Sequence, residues 1–169
     1  MIREIRKYGD PVLAQTAEPV TEFDDKLKKL VNDMFETMYA APGVGLAAPQ
    51  VGISKRLFVM DCSTKEGVQE RVALINPEII VTEGRQLGDE GCLSFPGIYF
   101  QVERAQRVVA RARNVKGEWF EIDTMDLPAR CILHENDHLN GIVFINHLSA
   151  LKRDLVKRKI RKRIKAGDW

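Results

Sequence analysis

Cysteine is scarce in this chain: three in 169 residues, Cys62, Cys92 and Cys131, an odd number at wide spacing. That count excludes a disulfide framework and points to reduced thiols, any of which could serve as a metal ligand. Long hydrophobic runs are absent, so no stretch reaches the ~20 apolar residues that span a bilayer. The opening Met1-Ile2-Arg3-Glu4-Ile5-Arg6-Lys7 lacks the apolar core of a signal peptide. The expectation is a cytoplasmic protein with no membrane partner. No repeat or low-complexity linker divides the first 147 residues.

What is present is the composition of a soluble globular protein, 44% hydrophobic and 30% charged, long enough to build one real core. The formal charge of +2 hides an asymmetry. Leu148 to Trp169 carries nine Lys or Arg against two Asp, a net of +7, while the preceding residues carry 17 basic and 22 acidic groups, a net of −5. The chain therefore divides into 1–147 and a basic helical extension, 148–169. Leu151, Leu155, Val156, Ile160 and Ile164 give that extension an apolar side. The bland reading of its charge is a solvated helix face. The sharper one is an electrostatic binding segment, which would make the chain a nucleic-acid module with a structural metal.

Hydrophobic spacing predicts an amphipathic helix over 23–40, ended by Pro42-Gly43. Short β-branched or alternating runs predict strands over 56–61, 73–81, 101–112 and 119–122, the last two joined by a turn at Asn114-Val115-Lys116-Gly117. A helix should run from about Asp123 or Thr124 through Leu139, and another from Ser149, a good N-cap. This order implies an α+β domain with short mixed or antiparallel sheets packed around a central helix, an N-terminal amphipathic helix and a C-terminal helix.

The central helix holds the most informative run, His134-Glu135-Asn136-Asp137-His138. Residues four apart share a helical face, so both imidazoles can reach one metal ion with Glu135 beside it, the layout of a water-activating centre. Two buried core histidines would be the bland alternative. Ala129, Cys131, Ile132, Leu133 and Leu139 surround the run, and polar groups buried among them need partners. A catalytic ion usually takes three protein ligands. His147 lies past the helix end and reads as a surface or capping residue. Cys131 shares the face of His134 but would crowd the same helix as a ligand, and reads better as a pocket wall. Cys92 is the stronger candidate, because Gly88-Asp89-Glu90-Gly91-Cys92-Leu93-Ser94-Phe95-Pro96-Gly97 is an extended, turn-rich segment whose backbone can approach a reacting group. A third segment, Gly43-Val44-Gly45-Leu46-Ala47-Ala48-Pro49-Gln50, lacks the Lys and Ser/Thr of a phosphate loop. It is either a tight turn on the core or a device that offers Gln50 as a donor to a substrate oxygen.

Together, Gly43 to Gln50, Glu90-Gly91-Cys92-Leu93-Ser94 and His134 to Leu139, in this order, resemble the bacterial peptide deformylases over nearly the whole chain. The resemblance implies Cys92, His134 and His138 as metal ligands, and removal of the N-formyl group from the initiator methionine of new polypeptides. In this chemistry water activated by the ion attacks the formyl carbon, with Glu135 as general base and then acid, and formate is released. It also implies Gln50 and the Leu93 backbone N–H as oxyanion donors, Val44, Gly45 and Gly91 as backbone contacts to an extended peptide, and Leu127 and Cys131 as walls of the methionine pocket. The ion it implies is iron(II), Fe2+, with zinc, nickel or cobalt as substitutes, and the basic extension becomes a ribosome-binding element near the nascent-chain exit. Two departures stand out. Tyr99 lies in the stretch where some deformylases carry an arginine, which removes a cationic contact to the peptide. Arg130, on the motif helix, occupies a position often apolar in relatives, and it is expected to alter the pocket rim. A zinc endopeptidase would share H-E-x-x-H but usually takes its third ligand from His or Glu, and Cys92 speaks against it.

Overall fold

The computed structural model describes residues 1–63 and 70–169. Asp24 caps the first helix, α1 (Asp25–Ala40), its carboxylate accepting from the Leu27 N–H at 3.0 Å. The apolar stripe of α1, Leu27, Val31, Met34, Phe35 and Met38, is buried. Five strands form one sheet in the order β1 (Gly45–Ala47), β2 (Leu57–Met60), β3 (Val72–Glu83), β6 (Arg107–Arg113), β7 (Trp119–Met125). Between them β4 (Gln86–Gly91) and β5 (Tyr99–Arg104) make a separate two-stranded ribbon. All pairings between these strands are antiparallel.

Strand β2 shows how the layers are held. All four of its residues are buried because the sheet is covered on both faces. Leu57 and Val59 pack with α1, while Phe58 and Met60 pack with the helix α2 (Asp126–Leu139) through Ala129, Cys131, Ile132 and Leu139. Alternate side chains of a strand point to opposite faces, so one short apolar run serves two cores. The third helix, α3 (Ala150–Lys165), starts at Ser149, whose hydroxyl accepts from the Lys152 N–H at 3.3 Å. Val156 and Ile160 are buried against Phe95, Ile98 and Phe144, while Leu151, Leu155 and Ile164 stay exposed. The basic helix thereby rests on the segment that follows Cys92.

The expected hairpin turn closes through Asn114, whose side-chain oxygen accepts from the N–H groups of Lys116 and Glu118, with Gly117 in the left-handed region at φ 82°. Three expectations change. The strand over 101–112 is two strands, because at Ala105-Gln106 the chain leaves the ribbon and enters the sheet. The strand from Trp119 continues to Met125, paired with Arg107, so α2 begins at Asp126. Asp126 turns that corner at φ 58°, its carboxylate held by Gln106 Nε2 at 2.6 Å and its carbonyl by Gln86 Nε2 at 2.9 Å. The third change is the pair of extra strands, β1 and β4. β4 is rich in Gly, Asp and Glu, and β1 is only Gly45-Leu46-Ala47, so neither carries much strand signal of its own.

Beside β1, Asp61 donates its N–H to the Val44 carbonyl at 2.9 Å. Its carboxylate accepts from the Tyr39 hydroxyl at 2.5 Å and from the N–H groups of Ser63 and Glu70. Burial alone would raise the Asp61 pKa, but these donors outweigh it and hold the carboxyl at about 2. A depressed carboxyl pKa contributes stability that is present above its ordinary value of 3.8 and lost as pH falls toward 2. Tyr39→Phe should therefore cost about 1 kcal/mol at neutral pH, because the bond is partly exposed. In urea titrations that difference should narrow as pH falls from about 4 to 2.

Candidate metal centre

Helix α2 carries His134 and His138 one turn apart, and the end of β4 delivers Cys92 to them. The Cys92 Sγ lies 3.4 Å from His138 Nε2, and one ligand atom from each of the three residues falls within 4.8 Å of the others. Among the described residues this is the one such group of three or more His, Cys, Asp or Glu side chains. His147 is not part of it. Its Nε2 meets Asp137 at 2.8 Å near the surface.

The histidine orientation is set by Glu90, which the sequence reading passed over. Glu90 Oε1 lies 2.5 Å from His134 Nδ1, so that nitrogen carries the proton and Nε2 is left with its lone pair for a metal. Glu90 also accepts from Arg104 (2.5 and 3.1 Å) and from Arg130 (2.8 Å), and Arg104 reaches on to Asp137 at 2.6 Å. Burial opposes the Glu90 charge, yet His134 and Arg104 hold its pKa well below the usual carboxylate range. The signal available in the sequence was a carboxylate two residues before the thiol, hence on the same strand face, and metal-bound histidines commonly bond such a group. Glu90→Gln keeps an acceptor and removes the charge. It should weaken metal binding roughly 10- to 100-fold in competition with a chromophoric chelator.

Glu135 is buried beside the cluster. Its Oε2 is 3.9 Å from His134 Nε2, and its Oε1 has no hydrogen-bond partner among the described residues. Burial, opposed by His134, pushes this carboxyl up to about 7. His138, fully enclosed and next to His134, is pushed down to about 3, which keeps it neutral and available as a ligand. At His134 burial disfavours a charge, but Glu135, Cys92 and Glu90 outweigh it and raise the pKa well above the ordinary value. The thiol with two imidazoles and the orphaned carboxylate oxygen beside them fit a divalent transition metal.

A cavity of about 900 Å³ opens onto the cluster. One wall is the segment Gly43 to Gly45 with Gln50, and another is Glu90 to Leu93. Gln50 is buried in the turn Ala48–Val51. Its Oε1 accepts from the Ala47 N–H at 2.9 Å, which aims Nε2 at Ser94 Oγ (3.1 Å) and Cys92 Sγ (3.5 Å). Gly45 must be glycine: a Cβ there would lie 2.7 Å from both Cys131 Sγ and Glu135 Oε2. Leu127 and Cys131 line the cavity, Leu127 half-exposed and Cys131 buried with its thiol 3.7 Å from the Val44 carbonyl. At Gly91 a side chain would overlap the Tyr99 ring, and Tyr99 gives the mouth an exposed aromatic where a cation could have stood. Arg130 is a correction. It is buried rather than at the rim, because Glu90 and the Val102 carbonyl draw its guanidinium inward at 2.8 and 2.9 Å.

Fold and site define an α+β protein with a one-cysteine, two-histidine centre and an adjacent buried carboxylate, the equipment of a metal-dependent hydrolase. Comparison with known proteins narrows the class. Residues 2–154 match the model of the polypeptide deformylase family. The chain is 61% identical over 169 residues to a peptide deformylase of Acidobacterium capsulatum, covering 100% of this chain and 99% of that protein. It superposes on the crystal structure of a peptide deformylase from Legionella pneumophila with a TM-score of 0.90, 45% identity and 98% of each chain covered. For the enzyme from Ehrlichia chaffeensis the TM-score is 0.93, at 36% identity and 99% coverage of each chain. The chain belongs to the polypeptide deformylase family.

Proposed function

We propose the following division of labour for the removal of the N-formyl group from nascent polypeptides, the reaction of this family. Cys92, His134 and His138 hold one divalent ion, iron(II) by preference, with zinc, nickel or cobalt as substitutes. When bound, the ion supplies Lewis acidity and lowers the pKa of water. Glu135 accepts the water proton and returns it to the departing amine, which makes it general base and then general acid. The Gln50 amide and the Leu93 backbone N–H donate to the oxyanion that forms from the formyl oxygen. Val44 and Gly45 lie at the start of an edge strand, since among the described residues β1 pairs only with β2, and an extended peptide can add there with Gly91 on its other side. Leu127 and Cys131 wall the methionine pocket, where an unbranched thioether needs a deep apolar slot.

The observation that carries this reading is the Cys92, His134 and His138 cluster opening onto the cavity that Glu135, Gln50 and the β1 edge share. Hydrolysis of formyl-Met peptides, followed by formate release, tests it against cleavage of internal peptide bonds. Formate release supports it, and cleavage of internal bonds alone would overturn it.

Residues 148–169 form a functional extension of the 1–147 catalytic domain. Its exposed basic face binds ribosomal RNA or protein near the nascent-chain exit, which places the enzyme in the cytoplasm with its substrate. Truncation after Ser149 should weaken co-sedimentation with ribosomes, and the wild-type interaction should fall steeply between about 50 and 200 mM salt. Unchanged co-sedimentation would count against this role.

A further inference from the structure

We infer that Cys62 and Cys131 form a site of reversible oxidation, at which a peroxide joins the two thiols in a disulfide and thereby distorts the wall of the cavity. The chain stays extended beyond β2, because Asp61 donates its N–H to the Val44 carbonyl at 2.9 Å. The Asp61 side chain points toward α1, where it meets Tyr39. Alternation then turns Cys62 to the opposite face, the side on which Phe58 and Met60 pack with α2, and Cys62 packs against that same cluster. Cys131 arrives there from α2, its Sγ 3.7 Å from the Val44 carbonyl that Asp61 engages. The two thiols share a hydrogen bond. That bond lowers the Cys62 pKa against the opposing effect of burial and raises that of Cys131, so Cys62 ionises first. Cys62 is also the more accessible, half-buried where Cys131 is buried.

An accessible thiol that ionises readily, with a second thiol in contact, is suited to oxidation in two steps. The Cys62 sulfur attacks the O–O bond of hydrogen peroxide, leaving a sulfenic acid and one water. The Cys131 sulfur then attacks the Cys62 sulfur; the S–S bond forms, the S–O bond breaks, and the hydroxyl leaves with the Cys131 proton as a second water. The thiols together lose two electrons and two protons, and the peroxide is reduced to two waters. A disulfide holds its sulfurs about 2.05 Å apart, well inside a thiol hydrogen bond, so Cys131 Sγ must leave its place. In that place a Cβ on Gly45 would lie 2.7 Å from Cys131 Sγ and 2.7 Å from Glu135 Oε2. Cys131 lines the cavity and precedes Glu135 by four residues on one face of α2, so the displacement reaches both the pocket wall and the carboxylate. The effect on activity rests on the deformylase reading of the cavity; the cross-link does not.

The test treats zinc-loaded enzyme with hydrogen peroxide, maps its disulfides by mass spectrometry of non-reduced peptides, and follows kcat/KM for a formyl-Met peptide. The expected result is a Cys62–Cys131 cross-link and a fall in kcat/KM of roughly 10- to 100-fold with zinc retained, both reversed by dithiothreitol. Cys62→Ser should match wild type before treatment and keep its activity after it. Absence of the cross-link in wild type would overturn the inference, and that result needs no variant. Unchanged kcat/KM in cross-linked protein, or an equal loss in Cys62→Ser, would overturn it as well. An untreated wild type that releases no formate would instead remove the deformylase reading, and the peptide map would still decide whether the cross-link forms.

Discussion

Glu135→Gln is expected to retain one bound metal ion and to release formate from formyl-Met peptides ~10²- to 10⁴-fold more slowly. The substitution keeps the size and shape of a side chain that has almost no free space: Gly45 backs it closely and Cys131 shares that contact. It removes only the capacity to accept a proton. The wild-type carboxylate is suited to that task in two ways. Its Oε1 is buried without a partner among the described residues, and its pKa is pushed up to about 7, close to the value at which a group accepts and returns a proton with equal ease. Because the metal ligands are untouched, metal content and rate should separate in this variant. Full activity with the ion in place would show that Glu135 is not the base.

The second large effect is expected at Gln50. Gln50→Leu should lower kcat by about 10²- to 10³-fold while KM changes little, since the lost donor serves the oxyanion more than the bound substrate. The wild-type amide is preorganised. Its Oε1 is occupied by the Ala47 N–H, so Nε2 cannot rotate away from the Cys92 side of the cavity. Ser94 also loses a partner in the variant, so a modest fall in stability should accompany the kinetic loss. Steady-state kinetics at a fixed metal content separates the two. A rise in KM with kcat unchanged would reassign Gln50 to substrate binding.

Which parts of this site were legible in the sequence depends on how local they are. His134, Glu135 and His138 are tied by helical spacing, and the surrounding apolar residues announce their burial. Cys92 and Gln50 stand in short Gly-rich segments whose peculiarity is visible, although their meeting with α2 is a property of the fold and came from the family resemblance. The Glu90, Arg104 and Asp137 chain joins β4, β5 and α2, so no spacing within one element encodes it, and its one local trace is the carboxylate two residues before Cys92. Arg130 was misplaced for the same reason. A helix position next to Leu127 reads as rim until Glu90, from another strand, is known to lie opposite. The break at Ala105-Gln106 was missed because the alternating pattern of side chains continues through it, while only the partner strand changes.

The most direct test of the account is a metal assay paired with formate release on anaerobically purified protein, before and after chelation and for Cys92→Ala. The account predicts one divalent ion per chain, loss of ion and activity together on chelation, their joint return on adding iron(II), and loss of both in Cys92→Ala. Undiminished formate release from the metal-free protein, or a full complement of ion bound at this site without Cys92, would contradict it.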